Sequence, residues 1–183
     1  MTTRHLPLFL AACLPAIALA GGAHSHGNAE LDVAVEAPAI LVELRVPLHD
    51  LVGFERPPRN RAERERVEQA IARLEAADRL FRIDPAGGCE LAAAAIEAPL
   101  LGRQGDGAPS PAVAGQPAHG DLVGSFRFEC RDARAARHLD LGLFPAFKSI
   151  RTVDARVASP GGQSAQRLRA TQPRLILADR PQR

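Results

Sequence analysis

Apolar and polar residues alternate over two early stretches, at Leu31, Val33 and Val35 and again at Ile40, Val42, Leu44 and Val46. A repeat of two places every apolar side chain on one face of an extended chain, so both stretches are predicted as half-buried strands. Ala37-Pro38-Ala39 between them suits a turn and not a paired strand, which joins the two as a hairpin. The period then changes. Val67, Ala70, Ile71, Leu74 and Phe81 recur at helical spacing, with Asn60 placed as N-cap and Glu63 three residues on. Arg64, Glu65, Glu68, Arg73 and Glu75 fall on the opposite face, which is predicted to be solvated. Burying the apolar stripe contributes about 1.5–3 kcal/mol for each large side chain, enough to fix the helix on a sheet.

Between hairpin and helix, residues 47–58 carry Gly53 and a Pro57-Pro58 pair, and an irregular connection is expected that returns Leu51, Val52 and Phe54 to the core. Residues 89–101 are apolar and rich in Ala and are assigned to a strand. Residues 102–118, a Gly/Pro/Ala stretch with little to bury, are assigned to a flexible loop. Phe126, Phe128 and Cys130 alternate on a further strand. In the last third, residues 138–143, 152–158 and 163–170 are predicted as short strands, with a bend at Phe144-Pro145-Ala146-Phe147 and a tight turn at Pro160-Gly161-Gly162. Residues 175–177 are expected to close an edge, and residues 179–183 to fray. The pattern predicts one α+β domain over residues 21–183, a mainly antiparallel sheet of short strands with one main amphipathic helix packed on it.

The first twenty residues stand apart. Arg4 and His5 precede an apolar run over residues 6–19 that ends on Ala18-Leu19-Ala20, the small-x-small pattern of signal-peptidase cleavage. Residues 1–20 are expected to be a cleaved Sec-type signal peptide, the remainder to be periplasmic, and no stable membrane insertion to persist after cleavage. A rival processing site is the lipobox-like Leu10-Ala11-Ala12-Cys13, although the chain beyond Cys13 stays apolar where a lipoprotein turns polar. Cleavage after Ala20 leaves Cys89 and Cys130, and two cysteines in an oxidising compartment predict one disulfide. Basic and acidic residues number 23 and 21, they are interleaved, and Tyr and Trp are absent, so neither a nucleic-acid surface nor an anionic-membrane surface is implied.

Candidate chemistry begins at His24-x-His26, where two imidazoles two residues apart project from the same side of an extended chain. His119-Gly120-Asp121 repeats the spacing where the loop re-enters a strand. Three imidazoles and one carboxylate fill the tetrahedral shell that zinc prefers, provided the two segments meet. His49 and His138 each stand alone and are assigned no role, and Glu55 is expected to cap a backbone N–H or to act as an outer ligand. No G-x-S-x-G, Gly-rich phosphate loop or HExxH occurs, so no enzyme is predicted. Two alternatives stay open. Removal of one further residue at the N-terminus makes Gly22-Ala23-His24 a square-planar site for Cu(II) or Ni(II), and a metal-free envelope scaffold treats the histidines as a solvated tail.

Five stretches carry a resemblance: HSHGNAELDVAVEAPAILVEL at 24–44, DLVGFERPP at 50–58, the cysteine of GGCEL, HGDLVGSFRFEC at 119–130 and LFPAFKSIRTVDARV at 143–157. Taken in order they resemble the ZrgA-like periplasmic zinc-binding proteins. The resemblance implies a periplasmic protein that concentrates or passes Zn2+ to an uptake transporter or its binding protein, with His24, His26 and His119 as ligands and Asp121 beside the last. Two departures stand out. Family members commonly have a histidine directly after the GFE glutamate, where this chain has Arg56, and many carry a His/Asp-rich tract in the loop, where residues 102–118 hold no histidine.

Overall fold

The computed structural model describes residues 26–103 and 120–177. The predicted hairpin forms from β1 (Asn28–Glu36) and β2 (Ala39–Pro47), paired antiparallel with Val33 opposite Val42 and Val35 opposite Ile40. The two residues between the strands are joined by a cis Ala37-Pro38 peptide. The alternating apolar set points inward, with Leu31, Ile40 and Leu44 fully buried.

After β2 come α1 (Leu48–Val52), α2 (Arg61–Glu75), α3 (Ala77–Leu80), β3 (Phe81–Ile83) and β4 (Cys89–Glu97). They are followed by β5 (Asp121–Cys130), β6 (His138–Leu141), α4 (Leu143–Ala146), β7 (Thr152–Ser159), β8 (Gly162–Arg169) and β9 (Arg174–Ile176). Six strands form one sheet in the order β4-β5-β2-β1-β7-β8, and β3-β6-β9 form a second. Buried side chains of the large sheet, of α2 and α3 and of the small sheet make one core, in which the rings of Phe81 and Phe126 lie 5.1 Å apart.

Several expectations need correction. The molecule is mainly β, and the described residues hold four helices: α2 with 15 residues, and three of four or five. Asn60 does cap α2, its side chain accepting from Glu63 N at 2.9 Å, but the helix stops at Glu75 and Phe81 belongs to β3, opposite Leu141. Seven residues after Leu74, Phe81 fits a helical stripe by spacing alone; pairing with β6 and packing on Phe126 decide otherwise. The connection at 47–58 is not wholly irregular, because α1 makes a helical turn at its start. Nor is the large sheet purely antiparallel: β1 pairs parallel with β7, Val33 opposite Val157. Residues 175–177 contribute to β9, which edges the small sheet with Leu175 opposite Leu139.

Across both sheets, arginine forks grip aspartates on neighbouring strands at directly opposed positions. Arg156 donates from Nε and Nη2 to Asp32 at 2.6 and 2.8 Å, Arg167 holds Asp154, and Arg174 holds Asp140. All three arginines are exposed, so each pair is worth little stability and contributes mainly to register.

Cys89 and Cys130 are opposed across β4 and β5 and joined by a disulfide, closing a separation of 41 residues. In the chain-entropy treatment a closure of that length stabilises by about 4 kcal/mol. We predict that Cys89→Ala combined with Cys130→Ala lowers the unfolding free energy by about 3–4 kcal/mol in urea titration. An unchanged denaturation midpoint in the double variant would show that the bridge adds nothing to the fold.

Candidate metal centre

The start of β1 is fixed by Gly27. Its φ of +83° is a left-handed conformation that suits glycine, and a Cβ there would lie 2.6 Å from Arg151 Nε. Gly27 N–H donates to Asp50 Oδ2 at 2.6 Å, and its carbonyl accepts from Arg151 N and Thr152 N at 2.8 and 3.0 Å. The strand is thereby tied to α1 on one side and to the start of β7 on the other. His26, one residue earlier, is held above α1 with its side chain 57% exposed.

On α1, Leu48 and Asp50 are buried while His49 between them is exposed. The ring of His49 lies against that of His26, with centroids 4.6 Å apart and planes at 53°. The helix ends at Gly53, whose φ of +88° closes the turn and whose N–H donates to His49 O at 2.8 Å. Phe54 then turns into the core and Glu55 outward, and Glu55 Oε1 stands 3.9 Å from His26 Nδ1. That is too far for a hydrogen bond.

The third strand of the site is the beginning of β5. Gly120 accepts from Leu48 N–H at 2.8 Å, and a Cβ on Gly120 would lie 3.1 Å from Glu55 Oε2. Asp121 is buried opposite Pro47. His26 and Gly120 thus both border Glu55. His24 and His119 lie outside the described residues. Among the described residues no group of three or more His, Cys, Asp or Glu is arranged to hold a metal ion.

Arg56 points away from this rim. Its guanidinium donates twice to Glu63, at 2.7 and 2.8 Å, while Glu63 also accepts from Arg59 N at 2.7 Å. Only half of the expected capping box therefore forms: Asn60 caps, but the Glu63 carboxylate serves the connection carrying Glu55. The Arg56 hydrogen bonds, followed by the Arg59 N–H, hold the Glu63 carboxyl down to about 2.

His138, assigned no role, is in β6 of the small sheet, with Nδ1 3.1 Å from Asp84 Oδ2. Backbone N–H groups of Ala86 and Arg137 hold the Asp84 carboxyl below its usual range, which makes this group a structural brace. His49 and Glu55 are the residues that stand beside His26 without having been joined to it by sequence spacing. Glu55 had a signal in its place between two glycine-and-proline punctuated turns; His49 had none until α1 was known to exist.

A family model described as ZrgA family zinc uptake protein matches residues 23–177. No curated protein matches the chain.

Glu63 yields a pH prediction. Its carboxyl is held at about 2 in the folded chain against an ordinary 4.5, so the stability it contributes is complete above about pH 4.5 and is lost as pH falls toward 2. Glu63→Gln should flatten this part of the stability profile, measured by urea denaturation at about pH 5 and about pH 3. Parallel losses in the variant and the unaltered chain would show that Arg56 does not hold Glu63 in solution.

Proposed function

Because the chain belongs to the ZrgA family of zinc uptake proteins, we propose that it is a periplasmic accessory protein that binds one zinc ion and contributes it to an uptake system. The observation that carries this reading is the approach of His26 and Gly120, from two well-separated segments of the sequence, to the same carboxylate, Glu55. His24, His26 and His119 supply the imidazoles in this reading, with Asp121 or Glu55 as the oxygen donor, a set that satisfies zinc's preference for four nitrogen and oxygen ligands.

Zinc is the cargo here, not a catalyst. A shell closed by four protein ligands has no open position for a substrate, and the protein acts as a carrier. Its partner is a zinc transporter or that transporter's binding protein. The periplasmic assignment draws on the signal-peptide pattern of residues 1–20 and on the Cys89–Cys130 disulfide, which belongs to an oxidising compartment. Among the described residues no helix is long and apolar enough to cross a membrane. Since residues 102–118 contain no histidine, the site at the rim accounts for all the zinc, and the stoichiometry is one.

Isothermal titration of the mature chain with zinc at neutral pH should show one ion bound per molecule. His24→Ala combined with His119→Ala should weaken binding by about two orders of magnitude or more, and Glu55→Gln by about tenfold. Saturating zinc should raise the melting temperature through mass action. A chain that takes up no zinc, or that binds it unchanged after the double substitution, ends the proposal.

A further inference from the structure

Resting on the reading of this rim as a zinc site, we infer that His49 is itself a zinc ligand, taking the place of one of the two other imidazoles in the four-ligand shell, and forms with His26 and Glu55 its fold-positioned part. The turn that carries His49 is the turn that fixes its neighbour. Asp50 is buried and grips Gly27 N–H, so the α1 backbone cannot shift against the start of β1 without breaking that bond. Adjacent helical residues diverge by about 100°. With Asp50 directed inward, His49 is left exposed on the outside of the turn, against the His26 ring.

The distances fit an ion entering between these groups. Zinc–nitrogen and zinc–oxygen bonds of roughly 2.0–2.2 Å at tetrahedral angles put neighbouring donor atoms roughly 3.3 Å apart. His26 Nδ1 and Glu55 Oε1 are 3.9 Å apart and must close by about half an ångström. The imidazole rings of His26 and His49 have centroids 4.6 Å apart, both are exposed, and rotation about their side-chain bonds is the movement that would turn nitrogens of both toward one ion. His26 thus neighbours both His49 and Glu55, although among the described residues the three are not arranged as a ready-formed metal cluster.

The alternative role for His49 is that of an aromatic surface packed on His26, and the two roles separate experimentally. His49→Phe keeps a ring beside His26 and removes the donor nitrogens; His49→Ala removes both. Zinc affinity measured by isothermal titration on the mature chain should fall roughly tenfold or more in His49→Phe and His49→Ala alike. Long-range proton–nitrogen NMR of the unaltered chain should show a His49 ring nitrogen moving to the metal-bound range on zinc addition. His49 is exposed, so urea denaturation without zinc should be the same for all three proteins. Wild-type affinity in His49→Phe, or an unshifted His49 ring in the zinc-saturated chain, overturns the assignment of His49 while leaving the zinc-carrier reading intact. Failure of the unaltered chain to bind zinc removes both.

Discussion

A buried carboxylate must be met by hydrogen-bond donors, and the architecture of the rim follows from how Asp50 satisfies this. Its Oδ2 takes the N–H of Gly27 at 2.6 Å, at a residue whose φ of +83° excludes nearly every other amino acid. Leaving such an acceptor buried without its donor costs about 1–3 kcal/mol, and more when it is charged. The same glycine's carbonyl meets the N–H groups of Arg151 and Thr152 at the start of β7, so one residue locks α1, β1 and β7 together. The edge position of His26, the outward face of α1 and the path of the chain toward Glu55 are all consequences.

The hairpin, the long helix and the Phe-rich strand were legible because each repeats its period often enough to be read. What escaped was short or non-local. A helix of five residues, Leu48–Val52, offers less than two turns of pattern, and the prolines and glycine around it advertise a loop. The parallel pairing of Asn28 with Thr152 joins residues 124 apart in sequence, with only the pattern of each strand visible and nothing to name its neighbour. The disulfide was read from the cysteine count and compartment, and the structure adds that its ends are directly opposed. At the candidate site, the histidines of the two i, i+2 motifs were visible as chemistry. The border that His26 and Gly120 share with Glu55 was not, since it depends on the αL turn at Gly53 and on the Arg56–Glu63 pair.

That pair also explains why the connection can be irregular and still hold a side chain in place. Phe54 anchors it to the core, and Arg56 stacks over the Phe54 ring at 4.8 Å while binding Glu63 on α2 with both arms. Glu55 is bracketed by two fixed residues. Arginine's planar fork, used again in the Asp32, Asp154 and Asp140 pairs, gives each contact a direction that a single lysine ammonium lacks. A chain with one lysine among its 23 basic residues has the side chains for this kind of cross-linking between elements.

Zinc binding at the proposed site would be coupled to folding by the site's topology. His26, His49 and Glu55, and the HGD segment come from three regions of the chain, and an unfolded polypeptide brings none of them together. A histidine pair two residues apart binds zinc weakly wherever it occurs; the carboxylate and the additional imidazole are available only when β1, α1 and β5 have assembled. The differential affinity between folded and unfolded chain is then the stabilisation zinc supplies. Because His26 and Glu55 are partly open to solvent, an ion bound at the proposed site would reach them without unfolding of the protein. The proposed carrier thus combines a scaffold fixed at Gly27, Asp50 and Gly53 with solvent-exposed His26, His49 and Glu55 side chains.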